Sequence, residues 1–559
     1  MYLRTTRRRN GDGTEVRYLS LAHNEWDPAA GRSKVRILFN LGREDELDRD
    51  AIRRLIGSLS RALPPGEALA AAMPELVFRE SRPVGGAWLL DGLWRRLGLH
   101  EILARLLRGR RLDPAAERAL FALVANRALK PSSKLSCAAW VSEHVAIPGL
   151  ADLSDDACYR AMDWLLAIEA ELAEQVYCSV ATLLNLEVDL LFFDTTSTYF
   201  ETDEADPPSP GAGKGFRTFG HSKDHRPDLP QVVIGLAVTR EGIPIRVWTL
   251  PGNTADQALI RAVKDDLRAW KLGRVVWVSD RGFSSAANRR YLQRAGGHYI
   301  TGKKLRGGSV EATAALARQG RYHVVTGNLE VKEVVLDDAT MRDRFVVCRN
   351  PDEVTRDAAI RERLVATLEA AIAGSDDLAP AARATLACDL RGRPTNRRFL
   401  RVTKAGLLRI DRAAVAADAG LDGKFLLRTS DPTLSAADVA TGYKQLLEVE
   451  RSWRDMKTTL ELRPVYHRKE TRIRAHILLC WLALLLVRIA ENATSDTWRN
   501  LRAELDKCHL GRFAGPAGEV AQRTEITSRQ AAIFKAADVA EPPRYVRVAT
   551  PQAAPAPAG

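Results

Sequence analysis

The stretch V-D-L-L-F-F-D-T-T, residues 188–196, decides how the middle of this chain folds. Its apolar run is short and continuous, and it ends in an acid, Asp194, before two β-branched threonines. A short apolar run without polar alternation is typical of a strand that is buried on both faces of a sheet. The stretch therefore predicts a central strand that ends in a carboxylate.

A second stretch, R-V-V-W-V-S-D at residues 274–280, has the same character and ends in Asp280. Between the two stretches lie two apolar runs around an Arg-Glu-Gly turn, followed by a pattern of apolar residues at helical spacing. The predicted elements are a hairpin at 231–239 and 243–250, a helix at 255–270, a helix at 285–294 and a strand at 298–301.

The two aspartates follow strands of the same predicted sheet. In open α/β sheets, functional groups gather beyond the carboxyl ends of the strands. Since neighbouring strands lie about 4.8 Å apart, Asp194 and Asp280 could share one metal ion. We therefore predict an α/β fold with a ribonuclease-H-like core, in which helices flank a mixed sheet.

A third acid lies in the stretch Y-K-Q-L-L-E-V-E-R-S-W-R-D-M-K, residues 443–457. Tyr443, Glu450 and Lys457 are spaced by seven residues, which is about two turns of α-helix. The spacing predicts one helix that presents an aromatic ring, an acid and a base on one face, with Arg454 beside them. Such a face suits a metal-assisted reaction on a phosphate backbone.

A chain of 559 residues is too long for one hydrophobic core, and about two to four domains are expected. The helical pattern before the first strand suits DNA binding and a scaffold equally. The predicted segments are a small β-rich N-terminal unit (1–45), a helical domain that is a candidate for DNA-end binding (46–185), the first part of the core (186–301), a β-rich and basic insertion (302–435), the second part of the core with the Glu450 helix (436–492), and a C-terminal segment with a disordered Pro/Ala-rich tail (493–559).

The net charge of +13 indicates a polyanionic partner, nucleic acid first and an anionic membrane second. Codon bias toward arginine and alanine is the alternative explanation. The stretch 391–412 contains eight basic residues, Arg397 and Arg398 among them, against one acid. That density is typical of a phosphate-contacting surface, and a solvated loop remains the alternative.

The spacing of the cysteines and the hydropathy of the chain indicate in which cellular compartment the protein works. None of the seven cysteines forms a C-x-x-C pair, so a zinc finger or disulfide framework is not expected. The N-terminus lacks the apolar segment of a signal peptide. The longest apolar run, residues 477–487, is shorter than the ~20 residues of a membrane span and predicts a buried core helix. We expect a cytoplasmic, nucleoid-associated protein without a membrane partner.

Several ordered motifs resemble those of the DDE transposases of bacterial insertion sequences. The resemblance covers residues 186–492. Within the family, the chain is most similar to the branch with a Tyr-Arg-Glu-Lys signature and a β-strand insertion before the glutamate. The position of the signature arginine holds Leu446, which leaves Lys444 or Arg454 to supply the charge. The motifs are F-F-D-T-T, G-H-S-K-D-H-R-P-D-L-P-Q, P-G-N-T-A-D, V-S-D-R-G-F and Y-x6-E-x6-K.

The resemblance implies a DNA transposase that binds the ends of its insertion sequence, cleaves them in a metal-dependent reaction and transfers the freed 3′-hydroxyl into target DNA. It implies that Asp194, Asp280 and Glu450 are catalytic and hold two Mg²⁺ ions, with Mn²⁺ as a substitute. It also suggests a hairpin on the transposon end and a homodimer on synapsed ends. The expected DNA contacts are Tyr443, Lys457, Arg454, Arg281, Lys223, Arg397 and Arg398.

Other readings of the same residues remain open. The protein could be a metal-dependent nuclease of the same fold, or a DNA-binding regulator without catalysis. A glycoside hydrolase with paired carboxylates would favour aromatic sugar platforms, but aromatic residues make up only 6% of the chain. Taken singly, Asp194 could cap a turn and Glu450 could be an exposed helix charge. Asp256 is expected to satisfy amides in the first turn of a helix.

Overall fold

The computed structural model describes residues 1–11, 14–64, 67, 76–107, 115–183, 190–208, 215–268, 270, 275–306, 309–338, 341–515 and 518–549. The start of the first predicted strand at Val188 and most of the Pro/Ala-rich tail lie outside these residues, as does the boundary predicted at 185/186. The chain divides into two compact units. One comprises Met1–Glu80, Arg512–Ala521 and Arg547–Gly559, and the other comprises Ser81–Gly511 and Gln522–Val546.

The first unit contains a three-stranded antiparallel sheet and one helix. The strands are β1 (Tyr2–Arg9), β2 (Glu15–Asp27) and β3 (Arg32–Arg43), in that order. Helix α1 (Arg49–Ser60) begins after Asp48, whose side chain accepts hydrogen bonds from two amides of the first turn. A separate sheet has four strands in the order β18-β17-β16-β4, namely Tyr545–Ala549, Gly518–Arg523, His509–Gly515 and Val77–Pro83.

A helical module opens the second unit. Serine side chains cap two of its helices, since Ser133 accepts from the amide of Ser136 and Ser154 from that of Ala157. The apolar faces of these helices share one hydrophobic core with the long helix Glu470–Thr494. The helices are α2 (Gly85–Arg96), α3 (Leu99–Leu107), α4 (Ala116–Leu129), α5 (Lys134–Glu143), α6 (Asp155–Ala167) and α7 (Glu169–Leu183).

A nine-stranded mixed sheet in the order β10-β11-β12-β15-β9-β8-β5-β6-β7 forms the centre of the second unit. β5, β8 and β9 run parallel to one another, and the other neighbours pair antiparallel. The mixed sheet with flanking helices confirms the predicted α/β class. The strands are β5 (Leu190–Tyr199), β6 (Gln231–Val238), β7 (Pro244–Pro251), β8 (Val276–Ser279), β9 (His298–Lys303), β10 (His323–Thr326), β11 (Leu329–Asp338), β12 (Met341–Arg349) and β15 (Lys424–Thr429).

The strand that carries Asp194 is longer than predicted. β5 continues beyond Asp194 because the next residues stay paired with β6, from Thr195 opposite Gly235 to Tyr199 opposite Gln231. Asp194 therefore lies within a strand, and the prediction that it ends the strand is wrong. β8 does end directly before Asp280, as predicted. Helix α8 (Asp256–Arg268) connects β7 to β8, and α9 (Ala286–Gln293) connects β8 to β9.

The insertion between β9 and the Glu450 region is not uniformly β-rich. Four of its strands extend the central sheet beyond β9, whereas residues 351–419 are mainly helical. Asn350 caps the longest helix and a proline occupies its first turn, both of which favour helix over strand. The helices are α10 (Val310–Ala317), α11 (Pro351–Ile372), α12 (Pro380–Gly392), α13 (Pro394–Phe399) and α14 (Arg412–Ala419), and the hairpin β13 (Leu400–Val402) and β14 (Leu408–Ile410) lies between the last two.

The long apolar run forms helix α17 (Glu470–Thr494). By length and composition this helix could cross a membrane, but 94% of its apolar window is buried inside the protein. Burial of that kind is typical of a core helix, as predicted. Helices α15 (Ala436–Lys444) and α16 (Leu447–Thr458) precede it, and α18 (Trp498–Leu505) and α19 (Ser528–Ala536) follow.

Candidate active site

The strand register places the two predicted aspartates side by side. In the parallel pair of β5 and β8, Phe193 lies opposite Ser279. Asp194 is the next residue of β5, and Asp280 directly follows the end of β8. Because side chains on neighbouring parallel strands share a face at matching positions, the tertiary structure brings these two carboxylates into one region.

The surroundings of Asp194 disfavour the charged form of its carboxyl group. Burial raises the pKa of its carboxyl, and the negative charges of Asp256 and Asp280 act in the same direction. Lys223 opposes them, because its Nζ lies 3.8 Å from Asp194 Oδ1 and 3.4 Å from Asp256 Oδ2. Several acids thus meet around one ammonium group, an arrangement that attracts further positive charge.

Asp256 is the site residue that sequence reasoning missed. It begins helix α8, as expected, but its carboxylate accepts a hydrogen bond from Thr195 Oγ1 at 2.7 Å and pairs with Lys223. Its Oδ2 also faces Gly282, two residues after Asp280. The signal that could have found it is the motif P-G-N-T-A-D, whose acid opens the helix after the β6–β7 hairpin.

Tyr443 contacts the second aspartate directly. Its hydroxyl donates to Asp280 Oδ1 at 3.3 Å, and its ring stacks on Phe425 of β15 with 6.3 Å between centroids. A Cβ atom at Gly302 would overlap the Tyr443 hydroxyl, so the ring needs glycine in β9. Burial raises the pKa of Tyr443, and the charges of Asp280 and Glu450 add to that shift. The phenol therefore stays protonated and acts as a donor.

The single helix predicted over residues 443–457 is wrong, because α15 ends at Lys444 and α16 begins at Leu447. The amides of Leu446, Glu448 and Val449 each bond to the carbonyl three residues earlier, which tightens the chain into a turn. Glu450 lies exposed in the first turn of α16. Leu446, at the signature arginine position, is buried in the hydrophobic core.

Lys457 forms an ion pair with a carboxylate of the same chain, that of Asp224. Its Nζ lies 2.7 Å from Asp224 Oδ1, and Arg463 Nη1 lies 3.1 Å from Asp224 Oδ2. Burial lowers the pKa of Lys457, and the charges of Arg463 and Lys223 act in the same direction, against Asp224. Lys223, Lys457 and Arg463 therefore form a basic cluster beside the carboxylates.

Comparison with protein families identifies the chain at this point. Residues 197–486, just over half of the 559 residues, match the transposase DDE domain family. The chain belongs to the DDE transposases. Residues 3–69 match a second model, the N-terminal domain of IS1634 family transposases. The predicted transposase family is thereby confirmed, while the Tyr-Arg-Glu-Lys branch stays a prediction.

Among solved structures, the piggyBac transposase synaptic complex with hairpin DNA is similar at 12% identity and a TM-score of 0.33. The match covers 75% of this transposase and 77% of that chain. A likeness of this size supports no conclusion about fold or function. Among proteins with curated descriptions, none matches this sequence.

The remaining predicted DNA contacts divide into two groups. Arg281, Arg454 and Arg397 are exposed. Arg398 instead donates from Nη1 to Asp418 Oδ1 at 2.9 Å and lies over the ring of Phe399. The structure therefore leaves the first three side chains accessible to DNA and uses Arg398 within the insertion.

The carboxylates suit a divalent cation chemically. Hard oxygen ligands are those that Mg²⁺ prefers, and Lys223 already places a cation between Asp194 and Asp256. In the described part of the chain, no group of three His, Cys, Asp or Glu side chains is arranged to hold a metal ion. The carboxylates are of the type that Mg²⁺ prefers, and their coordination of an ion stays a prediction.

Proposed function

We propose that this transposase cleaves the ends of its insertion sequence and joins the freed 3′-hydroxyl to target DNA. The observation that carries the proposal is the register of β5 and β8, which sets Asp194 beside Asp280, together with the hydrogen bond from Tyr443. The strand order β9-β8-β5-β6-β7, with β6 antiparallel to its neighbours, supports a ribonuclease-H-like core.

Asp194, Asp280 and Glu450 would hold the divalent metal on which DDE transposases generally depend. When bound, Mg²⁺ or its substitute Mn²⁺ polarises a phosphoryl oxygen and lowers the pKa of an attacking water. The raised pKa of Asp194 fits this role, because a buried carboxylate among like charges is stabilised by a cation.

The neighbouring side chains of this chain orient the reacting groups. Tyr443 donates to Asp280 and fixes the direction of its carboxylate. Lys223 places positive charge between Asp194 and Asp256, where a phosphate oxygen would approach. Lys457 can turn from Asp224 to a DNA phosphate, since Arg463 remains paired with the same carboxylate. Arg281 and Arg454 add exposed charge for the DNA backbone.

The proposed substrates are the terminal repeats of the element and a target duplex. Two ends are processed together, so a homodimer on synapsed DNA is the proposed working form. The excess of basic over acidic residues, 83 against 70, suits a protein that works on DNA in the cytoplasm. Arg397 would contribute to binding from the insertion.

A cleavage assay tests the proposal. Labelled fragments of the DNA that flanks the reading frame are incubated with the full-length protein and a target plasmid, in Mg²⁺, in Mn²⁺ and in chelator. Glu450→Gln is the test variant and Glu448→Gln is its matched control, because Glu448 lies in the same helical turn near Arg451. Metal-dependent nicking at a defined end, joined products and their loss only in Glu450→Gln are expected.

Two other results would point to different functions. Nicking without joined products would favour the nuclease. Binding without metal-dependent cleavage, equal in both variants, would favour a regulator and would return the three acids to structural roles.

A further inference from the structure

A second polar site lies in the helical module, away from the carboxylates. It is a cavity of about 460 Å³ between the start of helix α5 and the segment that joins α16 to α17. Ser132, Ser133 and Ser136 contribute hydroxyl groups to its wall, and His467 and Tyr466 line the opposite side. The cavity is therefore lined by hydrogen-bonding groups rather than by apolar side chains.

Two buried cations line this cavity, Arg127 and Lys134. They are 3% and 4% exposed, respectively. The Lys134 ammonium makes one long contact, 3.5 Å to His476 Nδ1. Arg127 bonds to the carbonyl of Ser132, yet its Nε is buried without a hydrogen-bond partner. Among the described residues neither side chain forms an ion pair, although Glu461, whose backbone carbonyl accepts from Arg127 at 3.4 Å, also lines the cavity.

The neighbouring imidazoles do not supply the missing negative charge. His476 Nε2 lies 3.1 Å from the carbonyl of Leu462, which assigns its proton to Nε2 and leaves Nδ1 to accept from Lys134. Burial lowers the pKa of His467 to about 4, so this ring is neutral at pH 7. Burial also lowers the pKa of Lys134, to about 8, which still leaves the amine charged at pH 7.

Local backbone geometry favours an anion at the same place. Ser133 is the N-cap of α5, a helix of ten residues, and Ser133, Lys134 and Ser136 at its N-terminus line the cavity. A buried, uncompensated cation is costly, and proteins usually neutralise or pair it. Two such cations beside a helix N-terminus and three hydroxyls together match a tetrahedral oxyanion.

We propose that this cavity binds a phosphate group through Lys134, Arg127 and the hydroxyls at the start of α5. The source favoured by its position is a backbone phosphate of the DNA end, which rests on the proposed function. Binding of a phosphate as such does not depend on that function.

The position of this cavity relative to the proposed active-site carboxylates supports DNA as the source of the phosphate. Pro464, Tyr466 and His467 line this cavity and also a larger one of about 790 Å³ that contains Arg463 and Arg217. Arg463 pairs with Asp224, and Asp224 pairs with Lys457 of the basic cluster. Glu201, Glu204 and Asp206 also line the larger cavity, and Asp206 pairs with Arg217, so Arg463 is the cation that connects the basic cluster to the wall shared with the Lys134 cavity.

The test compares Lys134→Met with Lys130→Met as the matched control. Lys130 is exposed at the end of α4 and does not line the cavity, so its replacement removes the same charge nearby. First, inorganic phosphate is titrated into each full-length protein while the melting temperature is followed, with chloride at equal ionic strength as reference. Phosphate binding is expected to raise the melting temperature of wild type and Lys130→Met but not of Lys134→Met.

Second, affinity for the end fragment is measured against salt concentration. Loss of one phosphate contact should weaken binding about tenfold and reduce the slope of log K against log salt by roughly 0.9 in Lys134→Met alone. A purely structural lysine would change the melting temperature and leave this slope intact.

The combined outcomes decide both the site and its source. Phosphate-dependent stabilisation together with a changed slope supports a DNA phosphate, whereas stabilisation with an unchanged slope supports free phosphate. If phosphate does not stabilise wild type and the slopes are equal, the inference is overturned. Absence of DNA cleavage alone would overturn the proposed function and leave the phosphate titration valid.

Discussion

Charged residues lie both around the half of the molecule formed by β5 to β9 and in the half formed by the insertion, and the two regions hold them differently. In the half formed by β5 to β9, Asp194 and Asp256 share a single lysine, Lys223. In the half formed by the insertion, acids and cations pair closely, as Arg398 and Arg306 both do with Asp418. Similar pairs are Arg409 with Asp376, Arg344 with Glu333, Arg361 with Asp422 and Arg428 with Glu311.

The difference separates binding surfaces from structural ones. Paired charges satisfy each other and need no ligand, although they cost desolvation when buried. Gathered acids repel each other and add to the rise that burial causes in the pKa of Asp194, so the cluster favours binding of a cation from outside. A dense run of arginines in a sequence therefore indicates a ligand less reliably than an uncompensated cluster in the folded protein.

The largest expected effect comes from removing the central acid. Asp194→Asn should reduce end cleavage at least roughly a hundredfold, because a metal ion contributes several kcal/mol to such reactions. Its counterpart in the other half, Asp418→Asn, should leave the chemical step intact and cost about 1–3 kcal/mol of unfolding free energy, since two cations lose their partner. Single-turnover cleavage and denaturant unfolding measure the two effects.

Asp194 also has an expected effect on how the stability of the protein depends on pH. The folded-state pKa of Asp194 is raised, so the folded protein loses stability as pH rises from the usual aspartate value through the raised one. In chelator at pH 7, Asp194→Asn should thus be at least as stable as wild type, with the difference vanishing in acid. Thermal unfolding that shows Asp194→Asn clearly less stable at pH 7 would contradict the comparison.

A smaller effect is expected from Asp256, the acid that joins the cluster from helix α8. Asp256→Asn keeps the acceptor for Thr195 but removes the charge that holds Lys223. Groups that orient metal ligands typically contribute roughly 10- to 100-fold to activity, and we expect a loss in that range. Cleavage rates over a Mg²⁺ titration check this, and an unchanged rate at every concentration would assign Asp256 to the helix terminus alone.

A substitution at Gly302 tests whether close packing against β9 positions Tyr443 next to Asp280. Gly302→Ala should displace the Tyr443 hydroxyl from Asp280, with a stability cost of about 1–3 kcal/mol from overpacking. Gly327→Ala is the control in the insertion, because a Cβ atom there meets nothing within 4 Å. Unfolding and cleavage are measured together, and Tyr443→Phe in the same background shows whether the hydroxyl accounts for the loss. Equal behaviour of both glycine variants would exclude close packing at Gly302.

The smallest expected effect separates two adjacent arginines of the insertion. Arg397 is exposed, so Arg397→Met should lower the salt slope of DNA binding by roughly 0.9 with little change in stability. Arg398 pairs with Asp418, so Arg398→Met should cost about 1 kcal/mol of stability and leave the slope intact. Filter binding at several salt concentrations, together with thermal unfolding, distinguishes them.

Much of the catalytic half could be predicted from the sequence. The continuous apolar runs before Asp194 and Asp280 specified buried neighbouring strands, and the turn between the two runs of 231–250 specified the β6–β7 hairpin. The apolar run 477–487 specified a core helix. These predictions succeeded because period and composition alone determine which faces of a segment are buried.

The extent of β5, the turn inside residues 443–457 and the role of Asp256 could not be predicted in that way. Each depends on hydrogen bonds or charges between segments far apart in the chain: β5 is prolonged by β6, and Asp256 is oriented by Thr195 and Lys223. Equally, no local pattern distinguishes Arg397 from Arg398, because the partner of Arg398 comes from α14.

The sequence by itself determined the family motifs and the buried strands, since these follow from local composition and order, and it predicted the three acids. Only the tertiary structure decided which charges stay uncompensated: Lys223 shared by two acids, Lys134 without a carboxylate, and the insertion arginines with their own partners. Electrostatic energy depends on distance and burial in space, and neither quantity is written in the spacing of residues along the chain.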